Sequence, residues 1–304
     1  MATGFSFKSN KYDVAALLIC AFVTGFPADG RTIEDIQYAR AQAFIKAGSF
    51  DEASVILLKL YRLHPENAGL LVELGQAYLK DTTEITGSQM KAEQCFRKAI
   101  KLDPEFGKAY YHLSEWANNQ CKYDLAIEMA TKALTAKRPD LQAYMERAAT
   151  YSHQHKDKEA LRDLNKFISL GKADRKAYER RACILKNLKQ YDLALADFRT
   201  MQKIHYDDGT AFQEAQCLEK LNKNNEAIGC LNELLKRNCT DDAAYEARGD
   251  LKFKLGRLEE AIGDYTKAIG LLPTATLYNQ RAAAYEKIGR KDLAAKDRRE
   301  AERQ

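Results

Sequence analysis

Residues 244–273 read AYEARGDLKFKLGRLEEAIGDYTKAIGLLP, and this stretch decides the fold. Gly249 lies twelve residues before Ala261, Ile269 eight residues after it, and Pro273 twelve after it. The pattern fits two antiparallel helices joined by a short turn. A small residue on the first helix and alanine on the second let the backbones approach closely, while larger apolar residues reach the next pair. Proline then stops the second helix, because it lacks an N–H and disfavours helix in the residue before it.

The same frame recurs along the chain. Ala53, Ala92, Ala126, Ala160, Ala194, Ala227, Ala261 and Ala294 are separated by 39, 34, 34, 34, 33, 34 and 33 residues. Small residues keep the phase twelve positions earlier: Ala41, Ser114, Ala148, Ala182, Ala215, Gly249 and Ala282, with Gly75 in that role in the longer repeat. Ile100, Leu134, Ile168 and Leu235 match Ile269, and Pro65, Pro104 and Pro139 match or nearly match Pro273. A single helical hairpin cannot bury its apolar face, so neighbours must stack.

Composition agrees. The 304 residues are 45% apolar and 30% charged, with only five prolines and sixteen glycines, which favours an all-α chain folded over most of its length. Its 48 basic and 43 acidic side chains are interspersed, with a net charge of +5, the composition of a solvated surface and not of a nucleic-acid footprint. The basic stretch from Lys287 to Arg303 is threaded by Asp292, Asp297, Glu300 and Glu302.

The period, the small residues, the alanines and the prolines together resemble the tetratricopeptide repeat family over residues 34–304. Residues 107–140, with Tyr110, Leu113, Tyr123, Ala126, Ala133 and Pro139, and residues 275–304, with YNQRAAAYEKIG, are similar in the same way. The resemblance implies a right-handed α-solenoid of about eight tetratricopeptide-type hairpins. The repeats fall at 34–67, 68–106, 107–140, 141–174, 175–208, 209–241, 242–274 and 275–304. The second is five residues too long, and DTTEITGSQ at 81–89 reads as a polar loop between its helices.

Both ends depart from the repeat. In the last helix Arg298 stands where Phe96, Leu164, Phe198, Leu231 and Tyr265 stand earlier, the polar substitution that a C-terminal cap needs. Residues 1–33 form a separate N-terminal segment, in which Lys8 and Lys11 precede thirteen uncharged residues at 14–26. That run is short for a bilayer span and suits the apolar region of a signal segment cleaved near residue 25, or a short anchor. The expectation leans to this export or membrane link. An extra helix packed on the first hairpin, in a cytoplasmic protein, is the alternative.

No nucleotide-binding, zinc-protease or hydrolase motif occurs, so no catalytic residue, cofactor, metal or small-molecule substrate is expected. His153 and His155 are read as solvent-exposed, Trp116 as core, and the seven cysteines as small apolar filler inside helices. A disulfide among Cys217, Cys230 and Cys239 stays open.

In the family that this chain resembles, first helices line a concave groove that holds a peptide or partner helix. By that resemblance the groove residues are Tyr38, Gln42, Gln76, Lys108, Tyr111, Glu115, Asn118 and Met145, followed by Glu179, Lys186, Gln213, Glu246, Asp250 and Asn279. The family's carboxylate clamp for chaperone tails is not matched, since Gln280 stands where its asparagine would fall. The expected function is a non-catalytic scaffold or adaptor binding a protein or peptide, with self-association into a structural oligomer as the alternative.

Overall fold

A computed structural model describes residues 32–81, 85–171 and 174–304. The apolar run at 14–26, and with it the choice between a signal segment and a packed helix, lies outside them. The described residues form sixteen α-helices and no strand. The first unit, which ends at Glu146, contains α1 (Ile33–Ala47), α2 (Phe50–Leu63), α3 (Ala68–Lys80), α4 (Ile85–Leu102), α5 (Gly107–Asn119), α6 (Tyr123–Thr135) and the start of α7 (Ala143–His153).

The second unit begins at Arg147, inside α7. It continues through α8 (Asp157–Ser169), α9 (Arg175–Asn187), α10 (Tyr191–Ile204), α11 (Asp208–Lys220), α12 (Asn224–Arg237), α13 (Asp242–Lys254), α14 (Leu258–Leu271), α15 (Ala275–Lys287) and α16 (Lys291–Ala301). Odd-numbered helices are the first helices of hairpins and even-numbered ones the second. Within each unit a helix packs on its hairpin partner and on the first helix of the next hairpin, giving an all-α helical-repeat solenoid.

Local chemistry sets the helix ends. Seven hairpin turns place a residue in the left-handed region: Gly48, Cys121, His155, Lys189, Asn222, Gly256 and Gly289. Each lies five residues before a marker alanine. The next N–H then reaches back to a carbonyl five residues earlier, as Lys122 does to Ala117 and Arg257 to Lys252. At the start of the following hairpins, Asn67, Asp174, Asp207, Asp241 and Thr274 cap first helices by accepting from backbone N–H groups.

All eight marker alanines are buried, and so are their small partners. The closeness is measurable at two glycines: a Cβ on Gly75 would lie 2.5 Å from the Phe96 ring, and one on Gly249 would lie 2.8 Å from the Tyr265 ring.

Of the expected loop at 81–89 in the long second repeat, residues 85–89 are helical, and residues 82–84 lie outside the described residues. Its additional residues lengthen α4 to eighteen residues, against thirteen or fourteen in the second helices α2, α6, α8, α10, α12 and α14. The extra turn is held by tertiary bonds. Buried Ser88 donates to Asp81 at 2.9 Å, and the indole of Trp116 donates to the Gln89 carbonyl at 3.0 Å. Polarity along the segment signalled a loop, but these side chains and carbonyls find partners inside the fold.

The cysteine reading is corrected too. The six described cysteines are free thiols, so Cys217, Cys230 and Cys239 form no disulfide. Cys95, Cys217 and Cys230 pack within helices, whereas Cys121 occupies a left-handed turn and Cys239 follows α12.

One periodic interaction went unread in the sequence. In the second unit, arginine on a first helix binds a buried aspartate sixteen residues on, in the second helix: Arg147–Asp163, Arg181–Asp197, Arg248–Asp264 and Arg281–Asp297. Each is a two-point bond, the geometry in which guanidinium and carboxylate fit best. The corresponding positions in the first unit are apolar in two hairpins, Leu74 with Cys95 and Leu113 with Met129.

Candidate partner-binding face

The first helices of the N-terminal unit bring most of the expected residues into one polar ladder. On α1, the Tyr38 hydroxyl donates to Glu73 at 2.6 Å and the Gln42 amide donates to its other oxygen at 2.7 Å. Burial, and then the bond to Glu73, push the Tyr38 hydroxyl up to about 12. One turn along α3, Gln76 bonds His112, whose Nδ1 lies 3.0 Å from Glu115. Further along α5, Asn118 Nδ2 donates to Glu146 at 2.8 Å.

Glu73, His112 and Glu146 therefore organise the face, and the sequence reading assigned none of them to it. His112 is 6% exposed, stacked on Phe96 at 5.7 Å and met edge-on by Tyr111 at 4.6 Å. Two residues before it, Tyr110 packs against Trp116 and Leu113, which confirms Trp116 as core. The signal that could have found His112 was its position: it immediately precedes Leu113 on a first helix, two residues before Ser114, in the frame set by the repeat.

Met145 is a correction. It is 8% exposed, so its side chain is committed to packing and is not presented to a partner. Lys108 is half-buried, as are Tyr111, Glu115 and Asn118. Asn118 stands out because its Oδ1 is buried with no hydrogen-bond partner, while its Nδ2 is fixed by Glu146.

The first-helix face of the second unit is organised differently. Lys186 bonds Gln213 and, at 3.4 Å, Gln216. Asp250 accepts from Tyr265 at 2.8 Å and from Gln280 at 3.1 Å. Burial raises the Asp250 carboxyl above its usual range. A cavity of about 480 Å³ opens between α7 and α9, floored by Ala148 and Ile184 and rimmed by Glu179, Cys183 and His153. Both His153 and His155 are exposed. Among the described residues, no three His, Cys, Asp or Glu side chains are grouped to hold a metal ion, and no helix is long and apolar enough to cross a membrane.

Family models described as "Tetratricopeptide repeat" match residues 38–81 and 212–276, and residues 85–106 and 176–204, together more than half of the chain. The chain belongs to the tetratricopeptide repeat family.

Tetratricopeptide repeat structures are also its neighbours in fold. YrrB, described as a tetratricopeptide repeat protein with an unusual peptide-binding site, superposes with a TM-score of 0.55 at 21% identity, covering 65% of this chain and 99% of that one. The C-terminal part of a repeat-containing protein from Cytophaga hutchinsonii gives 0.63 at 13% identity, covering 78% and 95%. The Cut9–Hcn1 hetero-tetramer of APC/C gives 0.51 at 17%, covering 95% and 52%. At these identities the likeness concerns fold alone. No curated protein matches the chain. Tetratricopeptide repeats are in general non-catalytic scaffolds for protein–protein interaction.

Proposed function

We propose that this protein is a non-catalytic adaptor that holds an extended segment of a partner protein along the first-helix face of its N-terminal unit. The observation that carries the reading is Asn118. Its amide nitrogen is tied to Glu146, so its carbonyl oxygen is oriented, buried and unpaired. An unpaired buried acceptor costs about 1–3 kcal/mol, which a backbone N–H of a bound segment would recover. Tyr111, half-buried about two turns earlier on α5, offers a wide contact area with few rotatable bonds to immobilise. Peptide binding by YrrB, a protein of the same fold, makes this mode reasonable for the chain.

The test is capture of a partner by the full chain, followed by affinity measurement. Tyr111→Ala and Asn118→Ala should each weaken the complex by about 1 kcal/mol or more, with Glu246→Ala mattering less. Unaltered affinity in the Tyr111→Ala/Asn118→Ala double variant would refute the assignment. Light scattering on the free chain separates adaptor from self-assembling component, since an adaptor stays monomeric without its partner. We further propose export directed by residues 1–25. Mature protein beginning at Met1 in its native cell would refute that.

A further inference from the structure

The sixth hairpin, α11 and α12, breaks the arginine–aspartate rule, and the break opens a cavity. Where the other second-unit hairpins carry arginine and aspartate, it carries Glu214 and Cys230. Three of the arginines also lie over a tyrosine three residues earlier, Arg181 over Tyr178, Arg248 over Tyr245 and Arg281 over Tyr278, at 5.5–5.8 Å. The sixth hairpin has Ala211 there.

The same three arginines reach back to a neutral side chain on the preceding second helix: Asn165, Asn232 and Thr266. At the sixth hairpin that position is Arg199, so the polarity of the joint is inverted. Arg199, on α10, donates to Glu214 at 3.0 Å and lies 3.2 Å from Glu226.

The inverted pair does not refill the space. The four regular arginine side chains are 15–22% exposed, whereas Arg199 is 47% exposed and spans two carboxylates from outside. With no tyrosine ring and no inward guanidinium, a cavity of about 430 Å³ remains between α10 and α12, floored by Ala211 and Glu214 and bordered by Cys230, Gly229 and Tyr206. That volume lies within the range of pockets that enclose a ligand group. Two acceptor groups border the space, one of them already paired. Glu214 is 12% exposed, with Arg199 as its ion-pair partner, and the Tyr206 hydroxyl is buried with no hydrogen-bond partner. Nearby charge is accounted for elsewhere, because Lys236 pairs with Glu233 and Arg237 lies over the Tyr206 ring at 4.2 Å.

We infer that this cavity is a second docking site, separate from the first-helix face, that receives an arginine next to an aromatic residue from a partner protein. The three joints with a tyrosine beside the arginine define the occupant's chemistry. The ring would fill the volume that tyrosine fills elsewhere, and the guanidinium would donate to Glu214 and to the Tyr206 oxygen. Guanidinium is preferred to ammonium here, because it is planar, weakly hydrated and can donate to two acceptors at once.

The test is NMR titration of the labelled full chain with acetyl-Tyr-Arg-amide. Shifts should concentrate at Arg199, Tyr206, Glu214 and Gly229, with affinity in the millimolar range, on the order of 1 mM. No atom lies within 4 Å of a Cβ built on Gly229, so Gly229→Phe can cover the cavity without disturbing the core, and it should weaken binding by about tenfold or more. The variant Arg199→Asn/Ala211→Tyr/Glu214→Arg/Cys230→Asp restores the regular joint; it should abolish the shifts and raise Tm, a control that a misfolded protein cannot pass. Asn118→Ala should leave the shifts unchanged, which separates this site from the first-helix face. Absence of localised shifts, persistence of them in Gly229→Phe, or equal shifts from acetyl-Tyr-norleucine-amide would overturn the inference.

Discussion

Arg181 holds Asp197 at two points, Nε to Oδ2 at 2.8 Å and Nη2 to Oδ1 at 2.6 Å, and so ties α9 to α10 across a carboxylate that is 2% exposed. The bond raises the Arg181 guanidinium above its usual range. Removing one partner strands the other: Asp197→Ala should cost about 3–5 kcal/mol, because Arg181 is left partly desolvated. Replacing both by the pair found in the third hairpin, Arg181→Leu with Asp197→Met, should be near neutral, since the desolvation of two charges disappears along with their attraction. Urea unfolding of the two variants checks this. A double variant as unstable as Asp197→Ala would show that the ion pair itself stabilises the joint.

Glycine to alanine inside a helix ordinarily gains about 1 kcal/mol. Gly263→Ala, with open space around its Cβ, should show that gain. Gly249→Ala should do the reverse, losing about 1–3 kcal/mol, because the new methyl meets the buried Tyr265 ring, itself held by Asp250. Equal Tm shifts for the two variants would contradict the close approach of α13 and α14.

Lys189 sits in the turn between α9 and α10 with φ +59°, where Gly256 and Gly289 sit in later turns. A side chain in the left-handed region costs about 1–2 kcal/mol. Lys189→Gly should therefore stabilise the second unit, less the extra entropy that glycine gains in the unfolded chain. Thermal unfolding decides the sign, and a lower Tm would count against the strain.

Asp207 caps α11 through Thr210, whose hydroxyl and backbone N–H hold its carboxyl below the usual value; Arg175 adds to the effect. A carboxylate with a depressed folded value contributes stability that is complete above its unfolded value and is lost as pH falls through the folded one. Asp207→Ala should cost about 1 kcal/mol at neutral pH. The deficit should shrink below about pH 4, as the unfolded carboxyl begins to bind its proton. A deficit independent of pH between 7 and 2 would mean that the charge plays no part.

The sequence by itself determined the hairpin frame. Its signals are local and repeated: alanines that must be small, small partners twelve residues earlier, and prolines that end second helices. Each of these constraints is steric and acts within a few residues or across one fixed hairpin contact, so it leaves the same residue type at the same phase. What the tertiary structure decided were interactions whose partner is set by stacking. Residues 85–89 form the first turn of α4 because Trp116 and Asp81 meet that turn. Met145 turns inward because its helix face packs. Gln42, Gln76 and Asn118 are spoken for by Glu73, His112 and Glu146, which sit 28–36 residues away on the adjacent first helix. Such pairings leave no periodic trace when they occur once. The arginine–aspartate rule did leave one, at sixteen residues, but its meaning and the consequence of breaking it at Glu214 and Cys230 appear only when α10, α11 and α12 are in place. Charge and volume compensate there between residues on three helices, and that is a property of contact, not of order along the chain.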